Sequence, residues 1–362
     1  MKIAILGTRG IPNNYGGFEQ FAEYLSVGLV GKGHEVFVYN SHNHIFKESR
    51  YKEVNIIHCF DPEYLIGTSG QFLYDLNCIL NTRNHDFDII FQLGYTSSSI
   101  WNFLFSRKSK IITNMDGIEW RRSKFSNKVQ KFLKYAERLA VKYSDYFISD
   151  SIGIQKYLLE EYEVESTYIP YGAEKIGQPN LDILNTYNLS KYNYDIVVAR
   201  MEPENNIEMI LEGFMQSKKD RDLVIIGSLK TDFGKYVSEK YDDRQIKYLG
   251  FVSGIINLNS LRYFSNLYFH GHSVGGTNPS LLEAMSSNSL ICAHDNIFNK
   301  SILEKDAYYF TNFKQISHLM NNKIKAKENV FVINNKQKIN NLYSWSKIVD
   351  DYNLFFNKIC KK

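Results

Sequence analysis

The feature that most constrains this chain is a rhythm. Short apolar runs, each closed by glycine or a polar loop, alternate with stretches whose apolar residues recur at helical spacing. Residues 2–6, 35–39, 87–93, 110–114, 146–149 and 167–170 form one series of strands, and 195–199, 223–227, 246–249, 267–270 and 290–293 a second. Strands that each wait for a helix cannot pair as hairpins, so the pattern predicts parallel sheets covered by helices. Between the two series, residues 172–193 lose periodicity around Gly177-Gln-Pro179-Asn180 and read as an inter-domain connection. The expected architecture is α/β, two Rossmann-like domains facing a cleft. At 362 residues, each domain can have its own core.

The first strand ends in GTRGIPNNYGG, and a helix follows with Phe18, Phe21, Ala22, Leu25 and Leu29 on one face. A glycine turn at the carboxyl end of a first strand is where open α/β sheets bind ligands. The turn is not GxGxxG, and the next strand ends at Tyr39-Asn40 with no acidic residue for a ribose, which argues against a nicotinamide enzyme. Gly16 and Gly17 still allow close backbone approach to a ligand. A plain flexible turn is the alternative.

The strongest candidate lies in the second series. After the strand at 267–270 comes GHSVGGTNPSLLEAM, residues 271–285. Asn278 fits an N-cap and Pro279 the first helical position, so the amides of Ser280, Leu281 and Leu282 are expected at the helix start, where an anion is favoured. Gly276 and Thr277 lie in the loop before it, and Glu283 sits about a turn further in. The expected occupancy is a phosphate on the amides and a sugar hydroxyl on the carboxylate. An ordinary capped helix is the competing reading. Arg200 follows another strand of the same series, where it can grip a diphosphate or pair with Glu202 or Glu204.

Other classes find little support. A net charge of +4 does not argue for nucleic acid. Cys59, Cys78, Cys292 and Cys360 form no CxxC pair and read as reduced structural thiols of a cytosolic protein. The N-terminus reads as a first strand and not as a signal peptide, and no apolar run approaches a membrane span. Asp220-Arg-Asp222 has the form of a diphosphate–metal motif but precedes a strand, so we read it as a surface turn and expect no metal. His42 and His44 read as solvated loop residues, and His272 as either a ligand contact or a packed strand end.

Four stretches now combine: GTRGIPNNYGGFEQFAEYL, MDGIEWRRSKF, VARMEPENNI and GHSVGGTNPSLLEAM, in this order between Lys2 and Met285. On these the chain resembles the family four glycosyltransferases of the GT-B fold, and within them the bacterial polysaccharide rhamnosyltransferases. The resemblance implies domains at 1–175 and 194–341 joined by 176–193, with a terminal helix at 342–362 returning to the first domain. It also implies that Arg200 holds the donor diphosphate, that Glu283 binds the donor ribose, and that Gly16 and Gly17 approach the diphosphate and sugar. Two positions depart from the pattern. Asn205 stands where the family has a lysine, and Gly275 where it has a first glutamate. The donor-binding set is then Gly16, Gly17, Arg200, Asn205, Gly276, Thr277, Ser280, Leu281 and Glu283.

The implied reaction is retaining transfer of a sugar, rhamnose from dTDP-rhamnose, to a lipid-linked saccharide at the cytoplasmic membrane surface. Arg200 and the amides of Ser280 and Leu281 suit the departing diphosphate. The leaving phosphate itself or Asp116, after the strand at 110–114, can take the acceptor proton, with Glu119 next in line. A nucleotide-sugar 2-epimerase and a catalytically silent nucleotide-sugar-binding protein are the alternatives on the same fold. Finally, the stretch from Arg121 to Lys142 carries a net charge of +7, more than the whole chain. At helical spacing Lys124, Lys128, Lys131, Arg138 and Lys142 form one stripe, with Phe132, Ala136, Leu139 and Tyr143 on another face. A peripheral enzyme docked through this stripe is expected.

Overall fold

The computed structural model describes residues 1–14, 16–122 and 125–361. Lys124, one member of the basic stripe, lies outside the described residues.

The first series of strands builds an eight-stranded sheet. Its members are β1 (Lys2–Leu6), β2 (Glu35–Ser41), β3 (Arg50–Tyr51), β4 (Val54–Cys59), β5 (Ile89–Leu93), β6 (Lys110–Asn114), β7 (Tyr146–Ser149) and β8 (Thr167–Tyr168). They lie in the order β3-β4-β2-β1-β5-β6-β7-β8, parallel except for the short antiparallel pair β3–β4. The second series builds a parallel six-stranded sheet. It contains β9 (Tyr194–Val198), β10 (Asp222–Ile226), β11 (Ile246–Gly250), β12 (Tyr268–His270), β13 (Ile291–His294) and β14 (Tyr308–Phe310), in the order β11-β10-β9-β12-β13-β14. Parallel strands need crossovers, and helices supply them, so both faces of each sheet are covered and the strands read as near-continuous apolar runs.

The chain divides into two compact units. One comprises Met1–Arg121, Phe125–Gly172 and the stretch from Trp345, and the other Ala173–Ser344 together with Arg122. Residues 176–193, read as a connection, group with the second unit and carry a short helix, Ile183–Thr186, with Ile183 and Leu184 buried. Three strands lay outside the sequence reading: β3, β4 and β14. The strand expected to end at Tyr39-Asn40 runs on to Ser41.

The terminal helix Trp345–Cys360 belongs to the first unit. Its apolar face, with Ile348, Tyr352 and Phe356 fully buried, lies on the helix Gly17–Gly31 and the sheet behind it. The Tyr352 ring is 5.5 Å from Phe21 and 5.4 Å from Phe91, and Phe356 is 5.9 Å from Phe91. A residue near the end of the chain therefore completes the core laid down by β1 and β5. Replacing Phe356 with Ala should destabilise the protein by ~3–5 kcal/mol, because it empties a fully buried position packed against Phe91, Tyr352 and Phe355. Urea unfolding of the two proteins measures the loss.

Candidate active site

The order of the second sheet fixes where a ligand can sit. From β9 the chain proceeds outward to β10 and β11, whereas from β12 it proceeds to β13 and β14 on the other side. The direction of winding thus reverses between β9 and β12, which pair directly through Ile196–Tyr268 and Val197–Phe269. Open α/β sheets bind ligands outside the carboxyl ends of their strands at such a reversal. Arg200 is the second residue after β9, and the loop from Gly271 follows β12. The two strands flanking the reversal are those whose loops carry the candidate residues.

Arg200 is exposed, and its side chain has no ion pair among the described residues. Its loop is shaped from below by Asn205, which is 4% exposed and donates from Nδ2 to the Arg200 carbonyl at 2.7 Å. Asn205 was assigned to donor binding. In the structure its side-chain amide is turned inward and bonded to the backbone. The Asn205 carbonyl also lies against Gly271, where an added Cβ would come within 2.0 Å of it, so only glycine fits there.

The loop from Gly271 leads into the helix Pro279–Ser286, and the cap forms as expected: the Asn278 side chain accepts from the Ser280 amide at 2.9 Å. The consequence for the amides differs from expectation. Ser280 N is taken by that cap, and Leu281 N and Leu282 N bond to the Asn278 carbonyl at 3.0 and 3.3 Å. The Ser280 hydroxyl also turns inward, to Tyr268 and Arg262, and Leu281 is fully buried. The Asn cap competes with an anion for the same donors and holds them. Gly276 and Thr277, earlier in the loop, are left as its candidate backbone contacts. Gly275 has φ +126° with open space where a side chain would project, a conformation that a glutamate would adopt only under strain.

Glu283 is partly exposed, and its Oε2 lies 2.8 Å from Nη1 of Arg262, a fully buried arginine on the helix Ile255–Phe264. Two histidines stand beside the reversal. His270, the last residue of β12, is buried with no partner for either ring nitrogen, and His272 stacks on it with ring centres 4.3 Å apart. Burial, with Arg200 and Arg122 nearby, pushes His272 down to about 3, so it offers a neutral imidazole. Arg262 and His270 entered no expectation. The available signal was a lone arginine inside an otherwise apolar stretch, SLRYF, directly before a strand.

Asp220 is exposed, and Asp222 begins β10 at the amino end of the strand, the edge opposite to Arg200. Asp222 pairs with Lys247 at 2.8 Å, and Arg221 lies 3.4 Å from Asp195. The motif is a set of ion pairs on the amino edge. Among the described residues no group of three or more His, Cys, Asp or Glu side chains could hold a metal ion.

In the first unit the reversal falls between β1 and β5, and the helix Gly17–Gly31 begins at the carboxyl end of β1. Gly16 precedes it in extended backbone. Buried Glu19 accepts the Arg9 amide at 2.9 Å, so the helix start already has a carboxylate of its own. Asn40, where a dinucleotide fold would carry its acid, bonds the Ile11 amide and carbonyl at 3.1 and 2.8 Å. His44 is buried and not solvated, because its ring nitrogens bind Pro12 O at 3.1 Å and Phe46 N at 3.2 Å. Asp116 follows β6 with φ +44°, and its amide donates to Asn114 Oδ1 at 3.1 Å. Burial above all, then the Asp116 and Asp150 carboxylates, raises the Tyr171 phenol.

The stretch after Asp116 is tied to the basic helix Asn127–Tyr143. Buried Glu137 accepts from Tyr157 at 2.7 Å and Tyr95 at 3.1 Å, and Lys134 lies 3.0 Å away. Tyr95 reaches the Gly117 carbonyl at 3.3 Å, and Trp120 Nε1 donates to Tyr157 at 3.2 Å. Satisfying this carboxylate sets the rotation of the helix. The buried line is Leu133, Ala136, Glu137 and Ala140, while Phe132, expected on the apolar side, is exposed beside Lys128 and Lys131.

Residues 1–174 match the model of a domain of unknown function, DUF1972. No curated protein matches the chain. Among solved structures, sucrose-phosphate synthase from Thermosynechococcus elongatus is similar at 14% identity and TM-score 0.81, over 99% of this chain and 98% of that one. Anabaena HepE in complex with UDP and glucose is similar at 14% identity and TM-score 0.75, over 98% and 99% of the two chains. An α,α-trehalose 6-phosphate synthase from Burkholderia multivorans follows at 11% identity and TM-score 0.73, over 99% and 97%. The chain has the GT-B fold.

In this GT-B chain position 205 should not tolerate a lysine. Asn205→Lys should lose ~1–3 kcal/mol of stability, since it buries a charge and frees the Arg200 carbonyl, and should not tighten diphosphate binding. Thermal unfolding and calorimetric titration with inorganic diphosphate test both halves.

Proposed function

We propose that the protein is a retaining glycosyltransferase that uses a nucleotide-sugar donor. The observation that carries the reading is the position of Arg200 and the Gly271–Asn278 loop on the two strands flanking the winding reversal of the second sheet. Its support from relatives is a GT-B fold matched over nearly the whole of each chain, in proteins whose descriptions name sugar synthases or UDP and glucose. Arg200 meets the diphosphate as a planar, permanently charged fork, and Glu283 accepts a sugar hydroxyl of the nucleoside. In the reaction the bond from the sugar's anomeric carbon to the diphosphate breaks, and a bond to the acceptor oxygen forms on the same face. The acceptor proton passes to the departing phosphate or to Asp116. Stabilising the diphosphate as it leaves is the main electrostatic task.

The sugar we propose is L-rhamnose carried by dTDP, and the acceptor a saccharide on a lipid carrier of surface polysaccharide synthesis. Incubation with a panel of nucleotide sugars in EDTA, with and without lipid-linked acceptor, tests the whole reading. Acceptor-dependent release of dTDP supports it, and epimerisation or inert binding without acceptor overturns it. Arg200→Lys should lose nearly as much turnover as Arg200→Ala, because a point charge cannot replace the fork. Full turnover in the Lys variant would remove the clamp.

We also propose that the enzyme docks on the inner leaflet of the cytoplasmic membrane through the helix Asn127–Tyr143. No helix among the described residues is long and apolar enough to cross a membrane. The exposed Lys128, Lys131, Arg138 and Lys142 are accompanied by exposed Phe132 and Tyr135. The Phe132 ring packs at 5.6 Å against Phe72, on the helix Gly70–Thr82 whose Leu73 is also exposed. At about 1 kcal/mol per basic residue near an anionic leaflet, four such residues give at most ~4 kcal/mol, enough for reversible docking. Flotation with anionic vesicles should show binding that fades with salt and drops on Lys128→Glu with Lys131→Glu. Salt-independent binding would leave the face as ordinary solvated surface.

A further inference from the structure

The helix Ile255–Phe264 buries a permanently charged side chain beneath the donor-site candidate. Arg262 is 1% exposed, and three groups converge on it. Nη1 donates to Asn259 Oδ1 at 2.8 Å and lies 2.8 Å from Glu283 Oε2, while Nη2 donates to Ser280 Oγ at 3.0 Å. The Ser280 hydroxyl is held in turn by the Tyr268 hydroxyl at 2.9 Å, and the guanidinium lies 6.0 Å from the centre of the Tyr268 ring. An arginine cannot shed its proton, so a buried one requires a counter-charge. Among the described residues Glu283 is the one carboxylate paired with it.

The other end of that pair faces outward. The Glu283 side chain is 22% exposed, and its Oε1 has no partner among the described residues. One oxygen is therefore fixed from inside and the other is presented. A glutamate side chain has three rotatable bonds, and ordering it at the moment of binding would cost part of the affinity it supplies. Here the order is built in before any ligand arrives.

We propose that Arg262 is the positioning residue of the donor site. It holds Glu283 in a single orientation so that Oε1 accepts a sugar hydroxyl of the donor's nucleoside, and it sets nucleoside affinity without touching the ligand. This rests on the assignment of Glu283 to the donor. The same geometry sets the cost of losing each partner. Removing Glu283 strands a buried cation, whereas removing Arg262 leaves a carboxylate that water can still reach.

The experiment compares two probes, dTDP and inorganic diphosphate, titrated calorimetrically against wild type, Arg262→Lys, Arg262→Met, Glu283→Gln and the Arg262→Met/Glu283→Gln double variant. Diphosphate lacks the nucleoside, so its affinity reports the Arg200 side of the site alone. The expected result is at least a ten-fold loss of dTDP affinity in Arg262→Met with diphosphate affinity unchanged, and an intermediate loss in Arg262→Lys, which keeps the charge without the fork. In the Arg262→Met background the Glu283→Gln change should add little to that loss, and the double variant should melt higher than Glu283→Gln alone. If Arg262→Met does not fold, Arg262→Lys decides. Equal dTDP affinity in a folded Arg262 variant, or equal losses for both probes, overturns the positioning role while leaving the donor assignment standing. Wild-type protein that binds dTDP no more tightly than inorganic diphosphate overturns the assignment of Glu283 to the donor's nucleoside, and this inference with it.

Discussion

Everything at the candidate donor site depends on β9 and β12 lying side by side with the chain winding away from each in opposite directions. Parallel strands deliver all their following loops to one edge, but neighbouring loops normally turn the same way and crowd each other. At the reversal they part, and a space opens that neither crossover helix covers. Arg200 and residues 271–278 line that edge because of topology before any side-chain chemistry enters. The local chemistry then has to bring two backbones close together. It does so through Gly271, whose missing side chain admits the Asn205 carbonyl, and through Asn206, whose Nδ2 donates to the Gly271 carbonyl at 2.7 Å.

Within each unit, buried charges decide how the covering helices are rotated. An apolar stripe tolerates a helix turned by a small angle, but a buried carboxylate or guanidinium does not, because its partners lie in fixed directions. Glu137 turns the helix Asn127–Tyr143 towards Tyr95 and Tyr157, and so presents Phe132 and the lysines outward. Arg262 orients the helix Ile255–Phe264 towards Ser280 and Glu283, with Asn259 of the same helix bracing its guanidinium. Lys325 is a third case. Buried, and pushed down to about 7 by desolvation and then by Lys191, it donates to the Tyr263 carbonyl at the end of that same helix.

The architecture was legible because period and punctuation are local properties. Strands buried on both faces appear as unbroken apolar runs, and the Asn278-Pro279 start declares itself without tertiary information. What escaped was decided by pairing at a distance. β4 reads Val-Asn-Ile-Ile-His-Cys, too polar for the run criterion, and is a strand because β2 pairs along its length. Cys59 and Cys78, separated in sequence, meet in the first core as free thiols. At the site, the residue types at 200, 278 and 283 were readable, but the direction of an amide was not. An Asn cap at 278 already implies that an amide of the first turn is spent, but nothing in the sequence shows that the Ser280 hydroxyl would face inward.

The two departures at 205 and 275 each have a local physical reason. A buried position directly beneath the Arg200 backbone favours a short neutral donor, which can bond a carbonyl without carrying a charge into the interior. Asn205 meets that demand, and a lysine would need a route to solvent that its 4% exposure denies. Position 275 is set by its backbone, where an added side chain would meet open space but a strained conformation. Gly275 at φ +126° lets the loop take a turn closed to other residues. With an uncharged residue at 205 and no side chain at 275, the charge that this edge presents is that of Arg200, beside the neutral His272.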